Sequence, residues 1–346
     1  MTVSTMPNLQ LTHLRFDCTA ATPIKLGGHH AGNSLRNALA NAMRRATCPE
    51  TNRRGDPTPE HVATCPACWL LSANLDPGTI TRAYAVVPPM PPRAHLEPGQ
   101  PFSFALTLFG EGFQYLPYVV LAINEAGQSE GIGPGRRTGL GRFTLQAITA
   151  VDPLRGEVQS CLVPGDSLVT VPDLFVDWTA VDRISQLHRQ NLAGSQLTVR
   201  FLTPIRLEAG NQQYKIPDFS VFFRRLLYRI DELNRQFAGH ERRDPEEVAR
   251  LHALADQVRL VDAQTRWHEI WVHSGRKGNK TPLSGFTGTA VYHADDWESL
   301  LPWLVWGQAT QAGKSHVKGN GVYELAGGDW PAYWDWLRAA REDFIG

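Results

Sequence analysis

Long hydrophobic runs are missing from this sequence. The best of them, Leu116 to Ile123, stops far short of the ~18 apolar residues that a membrane-spanning helix needs. The start, MTVSTMPNLQ, shows no basic segment followed by an apolar one, so no secretory signal is read there. Cysteine is scarce and odd in number, at 5, with Cys48, Cys65 and Cys68 crowded into one segment. A disulfide framework calls for even numbers in a small secreted chain. These absences point to a cytoplasmic protein with reduced thiols and no membrane partner. An excess of charge is missing too, since 34 Lys+Arg stand against 34 Asp+Glu. Phosphate binding leans on surplus Lys and Arg, but a balanced total leaves room for basic loops on one face.

What is present is the material for two ordinary globular domains. The 346 residues suit about two units of ~150 each, and 42% apolar with 20% charged residues excludes a disordered or fibrous chain. Two passages share a layout. In the first, Leu9–Asp17 alternates as a strand, and Asn33–Arg45 is a helix with Leu35, Leu39 and Met43 on one face. Thr79–Val87 and Phe102–Leu108 follow as strands, Leu116–Glu125 as a helix and Phe143–Val151 as a strand. In the second, the sequence predicts a strand over Leu197–Leu207, a helix over Asp218–Phe237 with Asp218 as its N-cap, and an extra helix over Glu247–Val258. Strands at Arg266–His273 and Phe286–Tyr292, a helix at Trp297–Gln308, a strand from Gly321 to Leu325 and an amphipathic tail, Trp330–Phe344, complete it. The order β-α-β-β-α-β, read twice, predicts an α+β fold of tandem ferredoxin-like domains. They are expected over 1–155, with an insertion at about 47–74, and over 165–346, the boundary being punctuated by Pro153, Gly156, Pro164 and Gly165.

In each unit the second helix runs into a glycine-rich loop before the last strand. Gly131–Arg142 carries Arg136, Arg137 and Arg142 with no acid, and Gly313–Asn320 carries Lys314, His316 and Lys318 with no acid. Glycines make tight turns, and they also let backbone N–H groups approach a phosphate while the basic side chains supply counter-charge. Two such loops at one topological place favour a phosphodiester ligand. GQATQAGKS looks like a nucleotide-binding P-loop, but the pattern's first glycine would fall on Gln308 and the lysine follows a helix rather than a strand; no nucleotide cofactor is expected. Arg266–Lys280 is a further basic stretch, and its Arg276, Lys277 and Lys280 form a hairpin tip suited to RNA phosphates. Trp297, Trp303 and Trp306, at helical spacing, read as core residues rather than base-stacking platforms, and Trp334 and Trp336 as packing residues. Cys65-Pro-Ala-Cys68, with Cys48 and His61, has the spacing of a closed structural zinc site or, failing that, is a set of free thiols.

Four stretches taken together resemble the CRISPR-associated endoribonucleases of the RAMP superfamily that process precursor CRISPR RNA, the sixth Cas family. They are Leu35–Cys48, Phe102–Leu145, Leu202–Phe237, and Pro282–Gly288 with Gly313–Tyr323, in the family's order and across most of the chain. The resemblance implies binding of CRISPR repeat RNA, and metal-independent cleavage by 2′-OH attack that leaves a 2′,3′-cyclic phosphate. It also implies contact with CRISPR effector-complex subunits and no cofactor for catalysis. Such a reaction needs a base, an acid and positive charge on the phosphorane, and histidine fits both proton transfers near neutral pH. His29 and His30, on LGGHHAG ahead of a helix N-terminus, are the expected catalytic residues, with Lys25 and Arg36 as the nearest charges and His316 in reserve. One departure stands out: relatives carry a histidine two turns into this helix, where this chain has Asn41. That keeps open a non-cleaving RAMP subunit that holds guide RNA. A zinc-dependent hydrolase is disfavoured because three thiolates leave little room for an open coordination position.

Overall fold

In the structure, a computed structural model, residues 8–50, 56–72, 81–166, 168–192, 195–273, 280–327 and 330–339 are described. In the first unit, strands β1 (Leu11–Ala20), β2 (Tyr84–Val87), β3 (Pro101–Phe109), β4 (Phe143–Asp152) and β5 (Glu157–Leu162) form one antiparallel sheet, in the order β2-β3-β1-β4-β5. Helices α1 (Ala31–Thr47) and α4 (Leu116–Glu125) pack against each other and bury Leu35, Leu39, Met43, Val119 and Ile123. Two short helices, α2 (Pro59–Thr64) and α3 (Pro66–Ser72), form the described part of the insertion. The first sheet holds the chain beyond the expected end at 155, because β5 pairs with β4 and Val176 bridges Leu11.

Helix α5 (Trp178–Gln190), capped by Asp177, leads into the second unit. There β6 (Gln196–Ile205), β7 (Arg259–His268), β8 (Gly285–His293) and β9 (Tyr323–Ala326) pair in the order β7-β8-β6-β9. Helices α6 (Phe219–Phe237), α7 (Pro245–Gln257), α8 (Leu301–Thr310) and α9 (Asp335–Arg338) complete it. Asp218 caps α6 as expected, its Oδ1 accepting from the Val221 N–H at 2.9 Å. Both sheets therefore have the ferredoxin-like strand order. Among the described residues no helix is long and apolar enough to cross a membrane.

Three elements differ from the sequence reading, each for a physical reason. Strand β7 starts at Arg259 rather than Arg266, because its first half is an edge strand exposed on both faces and shows no apolar alternation. Helix α8 starts at Leu301, after a turn in which Leu300 and Leu301 donate to the Trp297 carbonyl; Pro302 then occupies the first helical turn. Strand β1 is buried on both faces rather than one. The C-terminal tail covers its polar side: His13 bonds Tyr333 Oη at 2.8 Å, and Arg15 donates to the Trp336 carbonyl and to Asp17. Ser103 donates to the same Asp17 at 2.6 Å, so this buried pair keeps the hydrogen bonds that offset its desolvation. Tyr333, Trp334 and Trp336 are buried, as are Trp297, Trp303 and Trp306, so all of these are packing residues.

Candidate active site and nucleic-acid interface

The site is made where the two units meet. The N-terminal turn of α1 lies directly on the second glycine loop, so closely that a Cβ on Gly32 would stand 2.4 Å from the Lys318 carbonyl oxygen. Gln311 of the second unit donates to the Val86 carbonyl of the first at 2.9 Å, and the Arg229 guanidinium lies 5.4 Å from the centre of the Phe109 ring.

This docking carries the Gly28–His30 turn onto the end of β7. The rings of His29 and His268 lie 4.2 Å apart, one from each unit. His268 Nε2 is 2.7 Å from Thr287 Oγ1 on the neighbouring strand β8. His29 Nδ1 is shielded from solvent and has no hydrogen-bond partner among the described residues. Burial, then the His268, His30 and Arg266 charges, lower the His29 pKa to about 4. Burial also lowers His30, and burial with Arg266 lowers His268. A neutral imidazole at physiological pH is a proton acceptor. His30 shares the turn but has no ring contact among the described residues. His268 was not singled out in the sequence; its partner is some 240 positions away, and only the docking of the units reveals the pair.

The first glycine loop builds the second feature. Asn41, Arg44 and Arg45 of α1 face Arg136, Arg137 and Arg142 of the loop across an open recess of about 520 Å³, lined also by Ser129 and Glu130. Arg45 pairs with Glu130 and Glu125. Among the described residues Arg44, Arg136, Arg137 and Arg142 have no carboxylate partner. Gly133 holds the loop at φ 80°, and a Cβ there would stand 2.2 Å from the Lys25 carbonyl oxygen, so only glycine lets this crossing close. Arg44 and Arg45 escaped the sequence reading, although their spacing from Asn41 places all three on one helix face.

The remaining expected residues separate. Lys25 is exposed, with its backbone under the loop. Arg36 and Lys318 are both half-buried at the junction, and burial with the Arg36 charge lowers Lys318. Lys314 is exposed and pairs with Glu208. His316 turns its Nε2 inward, without a partner among the described residues, and burial beside Arg229 drives its pKa well down. Lys280 is exposed at the start of a short strand that pairs with Trp271–His273, whereas Arg276 and Lys277 lie outside the described residues.

The cysteine cluster is assembled as expected. One donor atom each from Cys48, His61, Cys65 and Cys68 lies within 4.8 Å of every other. Zn–S and Zn–N bonds of about 2.3 and 2.0 Å in a tetrahedron set edges of about 3.8 Å between sulfurs and about 3.5 Å between sulfur and nitrogen. The Cys48–Cys68 sulfurs are 3.8 Å apart, and Cys48 Sγ is 3.5 Å from His61 Nε2. Glu50 stands 3.5 Å from His61 Nδ1, on the side that orients a ligand ring. Cys48 and His30 flank the two ends of the 17-residue α1, which at 1.5 Å per residue places them about 25 Å apart.

Two family models match the chain, one described as an N-terminal domain over residues 9–173 and one as CRISPR-associated endoribonuclease Cas6 over 199–323. A comparison with the curated proteins finds no match. Among solved structures, a Cas6 product complex is 16% identical with a TM-score of 0.55, covering 91% of this chain and 98% of that one. Thermus thermophilus Cas6 is 15% identical with a TM-score of 0.54, over 92% and 99%. A partial Cas6-RT-Cas1–Cas2 complex contains a chain that is 13% identical with a TM-score of 0.57, over 93% of this chain and 47% of that one. The structural likeness is one of fold, and it runs through both ferredoxin-like units rather than the matched segments alone. The endoribonuclease family's model falls on the second unit, over residues 199–323, and the chain as a whole shares the fold of the solved Cas6 structures.

Proposed function

We propose that the protein binds CRISPR repeat RNA and cuts it once by metal-independent transesterification, the ribose 2′-OH attacking the adjacent phosphate to leave a 2′,3′-cyclic phosphate and a 5′-hydroxyl. The observation that carries this reading is His29, neutral and seated at the junction of the units, with Arg266 close enough to act on its charge. A neutral imidazole accepts the 2′-OH proton and a guanidinium offsets charge on the phosphorane. The arginine recess supplies RNA affinity, and Arg137→Ala or Arg142→Ala is expected to weaken repeat binding about tenfold, with the salt slope reduced by about 1. A filter-binding series over ionic strength checks this.

The Cys48–His61–Cys65–Cys68 cluster suits zinc in number, chemistry and spacing, and its four donors fill a tetrahedral shell, a structural role. It lies about 25 Å from His30 along α1, too far to act at His29. Titration of the protein with repeat RNA in EDTA, with analysis of the product ends and of bound metal, tests both statements. The expected result is a product ending in a cyclic phosphate and one zinc per chain, lost in Cys65→Ser. Cleavage abolished by chelation, with the fold intact, would overturn metal independence.

Asn41 favours a second reading, a RAMP subunit that binds guide RNA without cutting, as part of an effector complex. It lines the arginine recess, about 16 Å along α1 from His30, where it binds rather than transfers protons. Tight binding of RNA that stays intact would establish it in place of the first.

A further inference from the structure

We infer that the active site is shared between the two units, with His268 of the second as the general acid that protonates the leaving 5′-oxygen while His29 of the first removes the 2′-OH proton. This rests on the cleavage reading above. The two rings are 4.2 Å apart, so one phosphodiester can touch both, and no other pair of histidines among the described residues is in ring contact. His268 is held at Nε2 by Thr287 Oγ1 at 2.7 Å. That bond fixes the ring and leaves Nδ1 as the nitrogen free to hold and give a proton. His29 has its Nδ1 enclosed, leaving Nε2 as its working atom. His268 thus has one nitrogen held by a hydrogen bond and His29 one shielded from solvent, and each keeps the other for the substrate.

The step balances. His29 Nε2 takes the 2′-OH proton as the O2′–P bond forms. The P–O5′ bond breaks, and O5′ takes the proton from His268 Nδ1. The net change is one proton moved from His268 to His29, which exchange with water reverses. Arg266, near enough to lower both histidines in the free protein, neutralises the equatorial oxygens. A bound phosphodiester anion opposes that lowering and raises the protonated fraction of His268, the form an acid needs.

A structural role for His268 would make a different set of predictions, so the test separates the two. His268→Gln, which keeps a hydrogen-bonding group facing Thr287, and His268→Ala are compared in single-turnover cleavage of repeat RNA. Binding is measured on the same RNA carrying a 2′-deoxy nucleotide at the cut. Expected are a rate loss of at least 100-fold in both variants, binding within twofold of the parent, disappearance of the alkaline limb of the pH–rate profile, and partial rescue of His268→Ala by added imidazole. A His268 variant that cuts at the parent rate while His29→Ala is inactive overturns the shared site and leaves the cleavage reading standing. Loss of rate only in proportion to loss of binding also overturns it. A parent protein that binds the repeat and never cuts it overturns both.

Discussion

His29→Ala is expected to lower single-turnover cleavage of repeat RNA by about 10²–10⁴-fold, the contribution of a positioned general base, while RNA binding stays within twofold. Binding should survive because the arginine recess proposed to supply affinity lies at the far half of α1, and His29 is not among its lining residues. His30→Ala is the contrasting variant: it removes the adjacent ring, which has no ring contact among the described residues, and should cost under tenfold. The pH dependence follows from the direction of the shift. With its pKa lowered to about 4 by burial and by the neighbouring His268, His30 and Arg266 charges, His29 keeps its base form as pH falls through 6.5. The acid-side loss of kcat/KM, which reports the free protein, should therefore fall near pH 4 rather than near 6.5. A His29→Ala protein that cuts at the parent rate would remove His29 from the chemistry.

The sequence made some of this legible and hid the rest, and the division follows the range of the interactions. Repeated strand and helix periods, the Asp218 cap and the two glycine loops are local signals, and both ferredoxin-like sheets formed as those signals predict. The Cys48–Cys68 cluster was legible as well, since the CxxC motif and His61 belong to a short helix pair and only Cys48 comes from upstream of it. The His29 ring was legible as a residue near phosphate, but its partner was not. His268 lies in a strand the sequence did predict, but its proximity to His29 depends on the docking of two separately folded sheets. The inward turn of His316 was hidden for the opposite reason: a glycine-rich, basic sequence context reads as exposed, whereas that loop packs against α1 and its Nε2 is shielded. Strand β1 likewise looked half-exposed, because the tail that covers its polar face is more than 300 residues away.

The docking of the two sheets is itself testable through a substitution that local propensity favours. Gly32 sits in the first turn of α1 with ordinary helical geometry, so alanine there should gain up to about 1 kcal/mol of helix propensity. Yet its methyl would lie 2.4 Å from the Lys318 carbonyl oxygen and 2.7 Å from Gly319 Cα. Backbone atoms cannot swing aside as a side-chain tip can, so the second glycine loop or the whole helix start must move. Overpacking of this kind costs about 1–3 kcal/mol, which exceeds the propensity gain, and Gly32→Ala is expected to be destabilised in denaturant unfolding. The larger effect is on activity. Displacing the start of α1 separates His29 from His268, and a misplacement of about 1 Å at reacting groups can cost about 100-fold in rate. Gly307→Ala supplies the comparison. Its methyl would meet the Tyr323 hydroxyl and Leu226 inside the second core, so it should lose stability without moving the histidines. If both variants lose stability while only Gly32→Ala loses its cleavage rate, the junction of the two units positions the chemistry. Equal rates in the two would mean that the site tolerates a loosened junction, and would place the reacting groups within one unit.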